Sequence, residues 1–227
     1  MLVNPTLERL RGGLVVSCQA YPGEPMRHPE TMAQIAEASV IGGAVGIRAQ
    51  GIDDIELIHR RLTVPLVGLW KDGDDAVFIT PTLEHALAVA RAGADIVAID
   101  GTRRPRPDGR ALSEVIRAVH DETGALVMAD CGSFDDGVAA AAAGADCVGT
   151  TLAGYTGERP ATDGPDLEVL AALAAELDVP VIAEGRIHTP QHARAAQDAG
   201  AYSVTVGTAI THPASITSWF VAELGEA

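Results

Sequence analysis

Lysine is nearly missing from this chain: of its 16 basic residues only Lys71 is a lysine, the rest being arginine. Positive charge as a whole is scarce, because 31 acidic residues leave a net charge of −15 and a sequence pI near 4.7. Such a surface repels phosphate backbones and acidic lipid, which argues against nucleic acid or a membrane as partner; an anionic small molecule would need its own local positive site. No apolar run approaches about 18 residues and no leader pattern precedes Thr6, so a soluble, cytoplasmic protein is expected. Cysteine is sparse too. Cys18, Cys131 and Cys147 are odd in number, widely spaced and set in apolar runs, which excludes a disulfide framework and makes them core fillers. No His-x-His pair or carboxylate cluster offers metal-ligand spacing, so no catalytic metal is expected, and the dinucleotide glycine fingerprint is missing.

What is present is a repeat. A short helix is expected at Pro5 to Leu10, and then β-rich runs occur at 12–19, 44–48, 64–70, 95–100, 126–130, 147–151, 180–184 and 203–207. Between them lie stretches with helical spacing, such as Leu83, Ala86, Leu87 and Ala90, or Leu167, Leu170, Leu173 and Leu177. Thr80-Pro81, Thr189-Pro190 and Ser133 mark helix starts. Ala92-Gly-Ala-Asp95, Ala143-Gly-Ala-Asp146 and Ala199-Gly-Ala-Tyr202 each stop a helix at a glycine suited to the left-handed cap and lead into a strand. Eight such strands, about 20 to 34 residues apart, fit a single (β/α)8 barrel (TIM barrel) over residues 1–227 better than an open doubly wound sheet.

In such a barrel the carboxyl ends of the strands carry the chemistry. That face collects Gln19, Arg48, Lys71, Asp100 with Arg103 and Arg104, Asp130, Thr150 with Thr151, Glu184 with Arg186, and Gly207 with Thr208. Gly185, Gly207 and Thr208 follow the seventh and eighth strands, where barrels bind phosphate through exposed backbone N–H groups, and Arg186 is placed to help. The run Asp100-Gly-Thr-Arg-Arg-Pro-Arg-Pro107 is either a second anion clamp or a charged loop braced by its own carboxylates.

Lys71 and Glu184 are the pair suited to moving protons. An amine can be brought to its neutral, proton-accepting form by burial or a cationic neighbour, whereas guanidinium stays charged to about pH 12. Near Arg48 in a partly dry mouth, Lys71 would favour the amine and a desolvated Glu184 its acid form. A simple Lys–Glu ion pair closing the barrel would use the same two residues.

Ser17-Cys-Gln-Ala20, Gly46-Ile-Arg-Ala49, Ile79-Thr-Pro-Thr82, the arginine–proline run, Met128-Ala-Asp130, Gly149-Thr-Thr-Leu-Ala-Gly-Tyr-Thr156, Ala183-Glu-Gly-Arg186 and Val206-Gly-Thr-Ala-Ile-Thr211 together resemble the N-acetylmannosamine-6-phosphate 2-epimerase family. The resemblance implies a cofactor-free barrel of amino-sugar (sialic acid) catabolism that interconverts N-acetylmannosamine 6-phosphate and N-acetylglucosamine 6-phosphate at C2. It implies Lys71 and Glu184 as catalytic residues and Gln19, Arg48 and Asp130 as substrate contacts. His212 stands where the family usually has arginine, which implies a weaker or pH-dependent grip on the substrate anion. Two rival readings are a Schiff-base aldolase acting through Lys71 and a non-catalytic phosphosugar-binding barrel. Trp219-Phe-Val221 is expected either to cap the barrel or to pack a homodimer.

Overall fold

The eight β-rich runs become β1 (Leu14–Cys18), β2 (Gly46–Gln50), β3 (Leu66–Leu69), β4 (Ile96–Asp100), β5 (Leu126–Asp130), β6 (Cys147–Gly149), β7 (Val181–Glu184) and β8 (Ser203–Val206) in a computed structural model that describes residues 4–21 and 23–225. They pair in parallel and in sequence order, and β8 returns to β1 with Val15 opposite Thr205. The result is the expected closed (β/α)8 barrel. Its helices are α1 (Pro5–Glu8), α2 (Pro29–Ile41), α3 (Ile52–Arg61), α4 (Leu83–Arg91), α5 (Leu112–Thr123), α6 (Phe134–Ala142), α7 (Leu167–Glu176), α8 (Pro190–Asp198), α9 (Thr208–Thr211) and α10 (Pro213–Leu224).

Local chemistry sets most helix ends. Ser133 and Thr189 cap α6 and α8 by accepting the backbone N–H groups of Asp136 and His192. The three echoed glycines, Gly93, Gly144 and Gly200, all have positive φ just past a helix. Thr80-Pro81 departs from expectation. The helix starts later, at Thr82, while Thr80 is buried at φ 47 and bonds Ala98 O and the Trp70 N–H through its hydroxyl. A β-branched residue rarely takes that backbone conformation, so the surrounding bonds must hold it there.

Two layers of apolar side chains result. Val15, Val67, Leu69, Ile96, Met128 and Ile182 fill the barrel, and Leu7 and Leu10, from α1 and the turn after it, close its amino end. Ile55, Ile58, Val89, Ile116 and Leu170 pack helices onto the outside, each fully buried aliphatic contributing about 1.5–3 kcal/mol. The three cysteines are buried and free, as expected of fillers. Among the described residues no helix is long and apolar enough to cross a membrane.

One position in the helical ring is left open. No side chain of α10 is buried, and Phe220, Val221 and Leu224 are 69%, 58% and 86% exposed. Between α8 and α2 the outer faces of β8 and β1 line a groove of about 460 Å³ with Leu14, Val206, Ala193 and Ile210.

Candidate active site

At the carboxyl end of the barrel lies a cleft of about 480 Å³, and Gln19, Lys71, Glu184, Gly185, Arg186, Gly207 and Thr208 all line it. Seven of the nine expected site residues therefore share one space. Lys71 stands two residues beyond β3, its backbone N–H 3.3 Å from Gln50 Oε1 and its segment tied by a bridge to Ile79. Its Nζ is 5.1 Å from the centre of the Tyr21 ring, and no carboxylate lies within 4 Å of it among the described residues. A direct Lys71–Glu184 ion pair is thus not formed. Burial, and next the nearby Arg48 charge, lower the Lys71 pKa; the charges of Glu184 and Asp130 oppose that shift.

Glu184 ends β7 with its side chain 12% exposed. Its Oε2 is buried without a hydrogen-bond partner, and its Oε1 is 3.3 Å from Arg48 Nε. Burial raises its pKa from the usual 4.5 to about 7 against the pull of Arg48. The cleft thus holds an amine shifted toward its basic form and a carboxyl shifted toward its acid form, the protonation states that proton transfer near neutral pH requires.

Asp130 ends β5 as expected, but Arg48 is placed differently from expectation. The second strand runs on to Gln50, so Arg48 is mid-strand rather than at its end. Side chains alternate along a strand: Ile47 and Ala49 face the helices, and Arg48 points into the barrel. There it is 1% exposed and makes a two-pronged ion pair with Asp130, Nη1–Oδ1 3.2 Å and Nη2–Oδ2 2.6 Å. Thr151, which does line the cleft, donates to Asp130 Oδ1 at 2.6 Å. A side chain at Gly149 would meet Asp130 Oδ1 at 3.2 Å and Met128 Cε at 2.4 Å, so the glycine keeps room for this pair. Arg48 and Asp130 form the floor under the cleft and do not line it.

At the other end, Gly185 has φ +107 and is followed by Arg186 at φ +53, a turn in which the glycine removes the side chain from the chain's approach to the cleft. Gly207 precedes the short α9, whose first N–H groups lack partners within the helix. The Arg186 guanidinium is already engaged: Nε donates to Gly164 O, Nη1 to Ala153 O and Nη2 to the Thr162 hydroxyl, with its carbon 5.2 Å from the Tyr155 ring centre. It braces the loop over the cleft with three of its donors. Gln19 Nε2 donates to Ser17 Oγ at 2.7 Å. His212 lines the cleft but contacts Ser215 Oγ at 2.7 Å and Glu24 Oε1, so its polar atoms are tied to protein.

The arginine–proline loop is largely self-braced. Arg103 pairs with Asp136 and Glu158, and Arg106 donates to Thr80 O and Asp100 O. Only Arg104 of the three lines the cleft. Sequence reasoning missed Tyr21, Phe78 and Tyr155 on the cleft wall; aromatic residues in loops carry no spacing signal that marks them.

Fold and cleft together define a (β/α)8-barrel enzyme whose polar cleft stands at the carboxyl ends of its strands. The chain belongs to the N-acetylmannosamine-6-phosphate epimerase family: the family model described as "Putative N-acetylmannosamine-6-phosphate epimerase" matches residues 32–226. A relative in Cutibacterium acnes, described as a 2-epimerase of the same substrate, is 64% identical over 213 residues, 93% of each chain. One in Caldanaerobacter subterraneus with that description is 46% identical over 97% of this chain and 94% of its own. The solved N-acetylmannosamine-6-phosphate 2-epimerase of Clostridium perfringens superposes with a TM-score of 0.94 at 37% identity, covering 99% of this chain and 98% of that one. A thiamine phosphate pyrophosphorylase from Pyrococcus furiosus, at 17% identity and a TM-score of 0.60, shares the fold alone.

Proposed function

We infer that this barrel interconverts N-acetylmannosamine 6-phosphate and N-acetylglucosamine 6-phosphate by removing and returning the proton at C2, within amino-sugar (sialic acid) catabolism. The observation that carries the reading is the sole lysine, Lys71, desolvated in the same cleft as a Glu184 whose carboxyl is raised to about 7. The C2 proton is feebly acidic until C1 is an aldehyde, so the sugar reacts in its open form. Lys71 Nζ takes the proton, the C2–H electrons form a C1–C2 double bond, and the aldehyde oxygen becomes an enolate oxygen. Return of a proton to the other face of C2 completes the epimerisation.

Glu184 is the proton-holding partner of Lys71. Arg48 acts from beneath the cleft, favouring the amine form of Lys71 and holding Glu184, while Asp130 keeps Arg48 in place. Gln19 meets the sugar's oxygens, and the backbone N–H groups around Gly185, Arg186, Gly207 and Thr208 receive the phosphate. The chemistry asks nothing of a cofactor.

The protein works as a cytoplasmic homodimer. Three buried free thiols suit a reducing compartment. The exposed apolar side chains of α10, together with the groove left open beside β8, supply a surface that a second copy covers.

Proton NMR with N-acetylmannosamine 6-phosphate in deuterium oxide tests the reading. The gluco epimer should form with deuterium at C2, and Lys71→Ala should lose both. No epimer and no exchange with the wild-type protein would sink it; borohydride trapping of a lysine adduct would then favour the aldolase.

A further inference from the structure

We infer that Arg104 sets specificity for the acetamido group, its guanidinium donating to the acetyl carbonyl oxygen of the sugar. This rests on the phosphosugar reading above. The phosphate-receiving loops follow β7 and β8, so the sugar carbons far from a 6-phosphate, with the nitrogen substituent on C2, extend toward the opposite wall at the ends of β3 and β4. Arg104 is the arginine lining that wall.

Its side chain is built in place. Nε donates to the Thr102 hydroxyl at 2.9 Å and Nη2 to Asp100 Oδ2 at 2.7 Å. Asp100 is completely buried and Thr102 6% exposed, and Thr102 gives both its N–H and its hydroxyl proton to Asp100 Oδ1. The Arg104 side chain is 24% exposed, and among the described residues Nη1 makes no hydrogen bond to protein. A planar cation locked on two donors with a third nitrogen unused is preorganised for an oxygen acceptor. The neighbouring arginines are spent elsewhere, Arg103 on Asp136 and Glu158 and Arg106 on backbone carbonyls.

The chemistry discriminates. An amide at C2 presents a neutral carbonyl oxygen. An unacylated amine at the same carbon is an ammonium near neutral pH, which a fixed guanidinium repels and to which it offers no acceptor. Arg104 therefore selects acylated over free amino sugars, in addition to holding the substrate.

Binding of N-acetylglucosamine 6-phosphate and of glucosamine 6-phosphate, by calorimetry at pH about 6.5 where the amine is protonated, separates the possibilities without relying on turnover. Wild type should prefer the acetylated sugar, and Arg104→Met should reduce that preference by about tenfold to a hundredfold, the range of a charged hydrogen bond. Because Arg104→Met strips a buried carboxylate of its partner, the double variant Arg104→Met/Asp100→Asn is measured beside it, with thermal melting as a check on folding. A reduced preference in the double variant supports the assignment. A preference within about twofold of wild type in a folded double variant overturns it. Failure of wild type to bind either sugar phosphate overturns the phosphosugar reading itself.

Discussion

Arg48 Nη2 lies 2.6 Å from Asp130 Oδ2 with neither side chain more than 2% exposed, and through Nε the same guanidinium approaches Glu184 at 3.3 Å. One buried cation thus balances two carboxyls. Removing that cation leaves two buried carboxyls uncompensated, so Arg48→Met should cost about 3–5 kcal/mol in urea unfolding. Arg48→Met/Asp130→Leu, which removes both charges, should recover much of that loss while epimerisation stays absent. Equal stability of Arg48→Met and wild type would show that the pair is not what holds the barrel floor.

Glu184 makes stability depend on pH with a definite sign. Its folded-state pKa is about 7 against a usual 4.5, so between those values the native protein binds more protons than the unfolded chain. Stability contributed by this group is therefore lost as pH rises from 4.5 through about 7, and the cost persists above. Glu184→Gln should match wild type in melting temperature at the acid end and exceed it at pH 8 and beyond. A difference that stays constant across pH would contradict the raised pKa.

The same substitution reads out proton traffic. Glu184→Gln should slow epimerisation by about a hundredfold or more. Deuterium uptake at C2 that survives without epimerisation would assign Glu184 to the second face of the carbon. Loss of both together would assign it to supplying protons to Lys71.

The proposed mechanism requires a lysine, and not mere positive charge, at position 71. Lys71→Arg keeps the charge but cannot act as a base, so exchange should fall by about a thousandfold or more and should not recover with pH. In the wild type, kcat/KM should rise with pH as the amine form accumulates and level off below 10.5, because burial and Arg48 lower this pKa. A profile still rising at 10.5 would place Lys71 in an ordinary solvated setting.

Gly185 carries a backbone conformation that side chains resist. Gly185→Ala at φ +107 introduces strain of about 1–3 kcal/mol at the turn proposed to receive phosphate. Its expected signature is a raised KM and weakened inhibition by inorganic phosphate, with kcat changed less. An unaltered KM would remove this loop from the phosphate site.

The apolar face of α10 predicts association. Phe220→Asp should convert a dimer to a monomer in sedimentation, since a charge would be buried where an exposed ring now stands ready for cover. A wild-type monomer at micromolar concentration would dismiss the second copy as its partner.

Much of this protein is determined by sequence alone, because the signals are local. Short β-rich runs, a hydroxyl before Pro190 and glycines after α4, α6 and α8 each act within a few residues, so eight strands, most helix ends and the polar strand-end ring could be read directly. The scarcity of lysine pointed to Lys71 for a chemical reason that needs no fold. The tertiary structure alone decided which way Arg48 points. Two further residues of β2 moved it from the strand's end to its middle, and the parity of a strand then turned it into the barrel toward Asp130, 82 positions away. It alone chose Arg104 from three arginines for the cleft, since that choice depends on Asp100, Asp136 and Glu158 arriving from different parts of the barrel. Barrel closure brings such partners together through contacts distant in sequence, and their charges, not local propensity, settle where each long side chain goes.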